Sequence, residues 1–233
     1  MGRAYEVRKF KMEKSSQAKT KVYSKYGREI YVAAKSGQDP NMNAELQRVI
    51  EKAKKEQVPN DIIERAIKKA TSNDTEHYDH VIYEGFAQGG SNIILQTLTD
   101  NTNRTYSEIR AILNKTGGKL GVNGSVMHQF RHVALFEISG LNEEEVLELL
   151  LNNDIEPQDI RFEGDVVEIE FEIKDYAVAK KALADKCNII SADLTYIPLT
   201  QVELNSEELE IFQKMYNMLE DLDDVQEIYH NVK

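Results

Sequence analysis

Cysteine is nearly absent: Cys187 is the only one in 233 residues, so no intrachain disulfide can form and a reducing compartment suits the chain. No run of 18 apolar residues occurs, which leaves nothing to span a bilayer as a helix. The opening, Met1-Gly2-Arg3, is polar and basic and lacks the apolar core of a secretory signal. An N-myristoylation site is not indicated either, because Glu6 stands where Ser or Thr is needed. What remains is an ordinary folding composition, 41% hydrophobic and 30% charged. The expectation is a cytoplasmic protein with no membrane contact.

Positive charge is scarce overall, and its placement matters more than its amount. The net charge is -11, yet residues 1–75 carry 17 basic against 10 acidic side chains, a net of +7. Residues 76–233 carry 12 basic against 30 acidic, a net of -18. Within the basic part, residues 1–35 hold 10 basic and 3 acidic side chains and account for the whole surplus. Lys and Glu decorating helices explain a single run, but a bias of this size confined to one end predicts a polyanion-binding arm on an acidic body.

The periodicity of residues 1–75 is helical. From Ser16 to Lys35 the apolar residues Val22, Tyr26, Ile30 and Ala33 fall three or four apart, with Lys19, Lys21, Lys25 and Arg28 mostly off that stripe. Asn43 is the expected cap of a second helix burying Leu46, Val49, Ile50 and Ala53, and Asn60 that of a third burying Ile63, Ala66, Ile67 and Ala70. Residues 71–78 are polar and aperiodic and read as a linker. Strands follow at 78–86 and 92–98, a helix at 105–115 with the capping-box form of Thr105 to Glu108, and a strand near 125–130. Residues 132–197 then read β-α-β-β-α-β: strands at 133–138, 159–162, 166–171 and 190–197, helices at 143–151 and 175–186. That is the ferredoxin-like order, a four-stranded antiparallel sheet with two helices on one face. The tail adds a short strand at 202–204, a helix from Ser206 and a strand at 225–229, expected to rejoin the earlier sheet. The fold class is therefore α+β in three domains: a basic helical bundle at 1–75, a discontinuous α/β domain at 76–131 plus 198–233, and a ferredoxin-like insertion at 132–197.

Catalytic constellations are wanting. The loop from Gly117 to Gly124 resembles a phosphate loop, but Leu120 follows Lys119 and the loop leaves a helix instead of entering one. The nearby helix pole is then negative, the wrong sign for an anion, so a glycine-rich turn is the better account. The histidines His77, His80, His128, His132 and His230 have no zinc spacing, and Cys187 has no adjacent base to activate it. No Gly-x-Ser-x-Gly elbow is present. The acidic run Glu220–Asp224 lacks the pattern of a calcium loop. Its carboxylates are disfavoured near a helix C-terminus, which suggests pairing with a basic surface of another domain or a partner. No cofactor, metal or small-molecule substrate is expected, and no enzyme.

One constellation remains. Arg3, Arg8, Lys9, Lys11, Lys14, Lys19, Lys21, Lys25 and Arg28 are interleaved with Tyr5, Phe10, Tyr23 and Tyr26. Such a cluster neutralises phosphates and releases counterions without reading sequence, and aromatics can stack on unpaired bases. Arg104, electrostatically disfavoured at a helix start, and Lys119 are secondary candidates for a phosphate, or in the case of Arg104 for a neighbouring carboxylate.

Several segments carry a family resemblance: Gly27–Gly37 (GREIYVAAKSG), Val58–Lys69 (VPNDIIERAIKK), Tyr83–Phe86 (YEGF), Thr99–Thr105 (TDNTNRT), Lys115–Gly121 (KTGGKLG) with Gly124–Val126 (GSV), and Leu219–Asn231 (LEDLDDVQEIYHN). In this order, and above all in the last, the chain resembles the YebC family, whose relatives include the mitochondrial translational activator of cytochrome c oxidase. The resemblance implies the same three-domain α+β architecture. It implies a DNA-binding transcriptional regulator or, as the rival, a ribosome-associated translation factor that contacts ribosomal RNA and relieves stalled elongation. Two stretches depart from the family pattern: Gly2–Lys9 at the start, and Ala87-Gln88-Gly89-Gly90, where the family has Gly-Pro-Gly-Gly.

Overall fold

The computed structural model describes residues 19–72 and 76–233. These form seven α-helices and two four-stranded antiparallel sheets. The elements are α1 (Lys19–Lys35), α2 (Ala44–Lys55), α3 (Asn60–Thr71), β1 (Asp79–Phe86), β2 (Asn92–Thr99), α4 (Thr102–Lys115) and β3 (Lys119–Leu120). They continue with β4 (Phe130–Ser139), α5 (Glu143–Asn152), β5 (Asp159–Glu163), β6 (Val166–Phe171), α6 (Tyr176–Ala184), β7 (Asn188–Pro198), α7 (Ser206–Glu220) and β8 (Val225–His230). Two compact units result: one holds the described residues up to Ser125 together with Leu204–Ile228, the other Val126–Glu203 with Tyr229–Lys233.

In the first unit the apolar stripes do what their spacing predicts. Ile30 and Ala33 of α1 meet Leu46, Val49 and Ala53 of α2 and Ile63 of α3. Each helix is short enough to be marginal alone, so this burial, about 1.5–3 kcal/mol for each large aliphatic side chain, holds them. Asn43 does more than cap α2. Its carbonyl oxygen accepts from the Leu46 amide at 3.0 Å while its nitrogen donates to the Ala33 and Gly37 carbonyls, both at 2.8 Å, locking the end of α1 to the start of α2. The expected Asn60 cap is corrected: Pro59 holds the N-cap position with φ -60°, and Asn60 is already helical. The proline ring sets that dihedral, and the Pro59 carbonyl takes the Ile62 amide at 3.0 Å. Of the expected linker, Thr71 belongs to α3, residues 73–75 lie outside the described residues, and Glu76 is anchored. Its carbonyl accepts from the Tyr31 hydroxyl at 3.1 Å and from Lys35, and its carboxylate pairs with Lys69 at 2.7 Å.

The sheet of this unit has the order β3-β1-β2-β8, so the tail does rejoin it. Helix α4 starts three residues earlier than its capping-box form predicts. Asn101 accepts from the Arg104 amide at 3.1 Å, and Thr105 is instead fully buried. The short β3 has no sequence signature, and the strand expected at 125–130 is a 3-10 turn, Met127–Gln129, leading into β4. The tail strand at 202–204 reduces to one bridge between Val202 and Val232.

The second unit has the β-α-β-β-α-β order with strands arranged β5-β6-β4-β7. Phe136, Ile138, Ile169 and Phe171 point from its sheet to Val146, Leu150 and Leu183 of α5 and α6. The opposite sheet face buries Val133 and Leu135 beside the carboxylates Glu137, Glu168 and Glu170. Ser191 donates to Glu137 at 2.7 Å, and Arg131 pairs with Glu170 at 2.7 Å.

His230 at the end of β8 has both ring nitrogens buried, and burial pushes its pKa down to about 4. The unfolded chain takes up this proton near pH 6.5, the folded chain only near 4, so the contribution is complete above 6.5 and is lost as pH falls toward 4. The difference corresponds to about 3 kcal/mol. Thermal melts at pH 7, 5.5 and 4 should therefore fall more steeply for the wild type than for His230→Gln. Parallel curves contradict this assignment.

Candidate nucleic-acid interface

Five of the nine expected contacts, Arg3, Arg8, Lys9, Lys11 and Lys14, lie outside the described residues, as do the aromatics Tyr5 and Phe10. The other four sit on α1. Its stripe faces α2 and α3, which turns the polar side elsewhere, and much of that side meets the acidic run at the end of α7. Lys21 Nζ lies 3.0 Å from both the carboxylate and the carbonyl oxygen of Asp221. Arg28 Nη1 lies 2.9 Å from Asp224 Oδ1, and Nη2 is 3.9 Å from Asp223. The Arg28 side chain is only 18% exposed. As an outward-facing phosphate contact Arg28 is thus corrected, because the acidic run engages its largely buried guanidinium, whereas Lys21 shares its charge with Asp221 in a pair that stays exposed. Lys19 stays exposed, and Lys25 is half-buried near Glu29. Burial and then the nearby Glu227 raise the Glu29 carboxyl pKa, while Lys52, Arg48 and Lys25 pull it back.

Asp224 is the centre of this arrangement, its side chain 4% exposed. Its Oδ2 receives Arg104 Nη2 at 2.7 Å and the hydroxyls of Thr105 and Thr99 at 2.7 and 3.0 Å. Burial raises its pKa, but the hydrogen bonds from Arg104, Thr105 and Thr99 outweigh that and hold it below the usual carboxylate range. Arg104 also pairs with Asp100 at 2.7 Å, and these two partners raise its own pKa. Arg104 therefore serves two carboxylates of its own chain. Its cost at a helix N-terminus is met by the two aspartates. Lys119 is exposed on the edge strand β3. The adjoining glycine loop is no anion nest: the Gly121 amide donates to the Glu84 carbonyl at 2.8 Å and the Gly124 amide to the Glu84 carboxylate.

The set that sequence reasoning missed lies on the other flank of α1. Lys35 and Lys69 place their ammonium groups 4.6 and 5.5 Å from the centre of the Tyr31 ring. Arg65 stands on the same helix as Lys69, one turn before it, paired with Asp61. The signal was the i, i+4 spacing of Arg65 and Lys69, easily taken for solvated helix decoration. Elsewhere the chemistry is quiet. Cys187 donates to the Leu183 carbonyl at 3.3 Å, and burial pushes its thiol pKa up. His132 stacks on Tyr196 at 4.3 Å, and burial lowers its pKa. Among the described residues no three His, Cys, Asp or Glu side chains gather as a metal site, and no helix is long and apolar enough to cross a membrane.

Two family models match: "TACO1/YebC protein N-terminal domain" over residues 3–73 and "TACO1/YebC second and third domain" over residues 78–232. The chain belongs to the TACO1/YebC family. A "Probable transcriptional regulatory protein" of Acholeplasma laidlawii is 49% identical to this family member, covering 100% of the chain and 98% of the relative. One of the same name from Vibrio atlanticus is 44% identical over 100% of both. The crystal structure of a conserved hypothetical protein, Aq1575 from Aquifex aeolicus, superposes with a TM-score of 0.77 at 35% identity, covering 93% of this chain and 90% of that one. Within the stretch 87–90 of this TACO1/YebC protein, where positions 87 and 88 depart from the family pattern, Gln88 and Gly89 each have a local role. Gln88 donates to the Thr116 carbonyl at 2.9 Å, closing the C-terminus of α4. Gly89 has φ +61°, and any Cβ there would collide with Leu204.

Proposed function

We infer that the chain is a non-enzymatic regulator of gene expression that contacts nucleic acid through its basic helical segment. The names of its relatives point to transcription and make DNA the first target. The observation that carries the reading is the charge of residues 19–72, twelve basic against seven acidic side chains. Withdrawing Lys21, Arg28 and Lys69, which Asp221, Asp224 and Glu76 engage, leaves nine against seven, so a surplus remains. Arg3, Arg8, Lys9, Lys11 and Lys14 extend the same charge toward the N-terminus. In this reading residues 1–75 act as one domain, with 76–131 plus 198–233 and 132–197 as the second and third.

A translation factor docked on ribosomal RNA and protein is the second reading. One observation favours it: residues 76–233 carry a net of -18, which long duplex DNA repels and basic ribosomal proteins attract. Co-migration in a lysate separates the two. Sedimentation with ribosomes in a salt-sensitive manner supports the second, and recovery with chromosomal DNA supports the first. Recovery with neither removes both.

A further inference from the structure

We propose that the cleft between α1 and α3 takes one unpaired nucleotide of a single strand, its base stacked on tyrosine and its phosphate on Arg65 and Lys69. The proposal rests on the reading of the chain as a nucleic-acid binder and names the site and substrate class within it. The cleft encloses about 480 Å³ and is lined by Tyr23, Gly27 and Tyr31 of α1, Arg65 and Lys69 of α3, and Tyr78 just before β1. That volume suits a small ligand, whereas a duplex has no way to present a stacked base to it.

Three features point to this occupant. The first is aromatic surface held in place. Tyr31 is 2% exposed, its ring packed edge-on to Tyr78 at 5.9 Å and 79°, and Tyr78 is held by Glu76 at 3.1 Å. Tyr31 is thus a fixed floor, and the half-buried rings of Tyr23 and Tyr78 are the faces a base can reach. The second is charge. Apart from Arg28, which Asp224 engages, the lining has two cations, Arg65 and Lys69, against one carboxylate, Glu76. Arg65 and Lys69 pair with Asp61 and Glu76 at the solvent-exposed surface, Lys69 also lying over the Tyr31 ring, and such exposed pairs are weak enough for a phosphate to compete with.

The third is Gly27. It stands in the middle of a 17-residue helix, where glycine is less favourable than alanine. Nothing among the described residues requires it: an added Cβ meets none of their atoms within 4 Å, and its backbone is ordinary helix. A helical glycine with open space above it, on the wall of a cleft, leaves room for a base to come close to the backbone.

The experiment uses the full chain and three probes of equal length: oligo(rU), oligo(dT) and oligo-glutamate. Tyrosine emission is the readout; the chain has no tryptophan to mask it. Both oligonucleotides should quench it and bind, and oligo-glutamate, with charge but no base, should bind much more weakly. Gly27→Leu fills the cleft and Tyr23→Leu removes an aromatic face while keeping an apolar side chain; each should weaken oligonucleotide binding roughly tenfold. Tyr23→Phe should restore it, and this arm keeps the test valid if Tyr23→Leu loosens the bundle. Tighter binding of oligo(rU) than oligo(dT) identifies the strand as RNA, and equal binding identifies a site for the shared base and phosphate. If oligonucleotides bind in a salt-sensitive way but are indifferent to Gly27→Leu and Tyr23→Leu, the cleft proposal falls and the general reading stands. If oligo-glutamate binds as well as the oligonucleotides, the cleft takes an acidic peptide and the proposal is overturned. If no probe binds, the general reading falls with it.

Discussion

Asp224→Ala is expected to lower stability by about 3–5 kcal/mol, the scale for removing one partner from a buried ionic cluster. The carboxylate, 4% exposed, is where α1 and α4 meet the start of β8: Arg28 on one oxygen, Arg104 and two threonine hydroxyls on the other. Without it, Thr99 and Thr105 lose this shared acceptor, and Arg28 and Arg104 lose their buried partner while keeping the exposed Asp223 and Asp100. Asp224→Asn keeps the shape and loses the charge, so it should fall between wild type and Asp224→Ala. Because the folded Asp224 carboxyl is held below its ordinary value, this contribution is present above about pH 4 and is lost as pH falls through the depressed pKa. Urea denaturation of the three proteins at pH 7 checks the order. A loss below about 1 kcal/mol for Asp224→Ala would mean the cluster behaves as a surface pair.

The second large effect concerns binding. Charge reversal at Lys19, Lys21 and Lys25 together should weaken association with nucleic acid by about tenfold or more at low salt and flatten its salt dependence. The structure makes the prediction finer. Lys19 is exposed, whereas Lys21 shares its charge with Asp221 at 3.0 Å. Lys19→Glu alone should therefore reduce the log–log salt slope by about 1, and Lys21→Glu by less. Equal slopes for all variants and wild type would exclude this face of α1.

The elements most visible in the sequence were those whose cause is local. The stripe of Val22, Tyr26, Ile30 and Ala33 announces α1, and the alternation of strands and helices after His132 announces the second sheet, because each pattern repeats within a few residues. The start of α4 differs from its sequence pattern because two caps compete there: the Thr105–Glu108 signature is genuine as a pattern, but Asn101 takes the role and frees Thr105 for Asp224. The partner of the acidic run was anticipated in kind but not in identity. Arg28 and Asp224 are 196 positions apart, and nothing local links them. The same limit hid the cleft. Tyr23, Arg65, Lys69 and Tyr78 become neighbours only when α1 and α3 pack and Glu76 pins the chain between α3 and β1. Periodicity shows which face of a helix is buried, not which exposed faces come together.

The most direct test of a phosphate-binding helical segment is the affinity of the intact protein for a labelled oligonucleotide, measured across a salt series from 50 to about 300 mM. A straight decline of log affinity with log salt, corresponding to several released counterions and shallower in the Lys19→Glu variant, is the expected result. A salt-independent affinity, or none even at the lowest salt, would contradict the account.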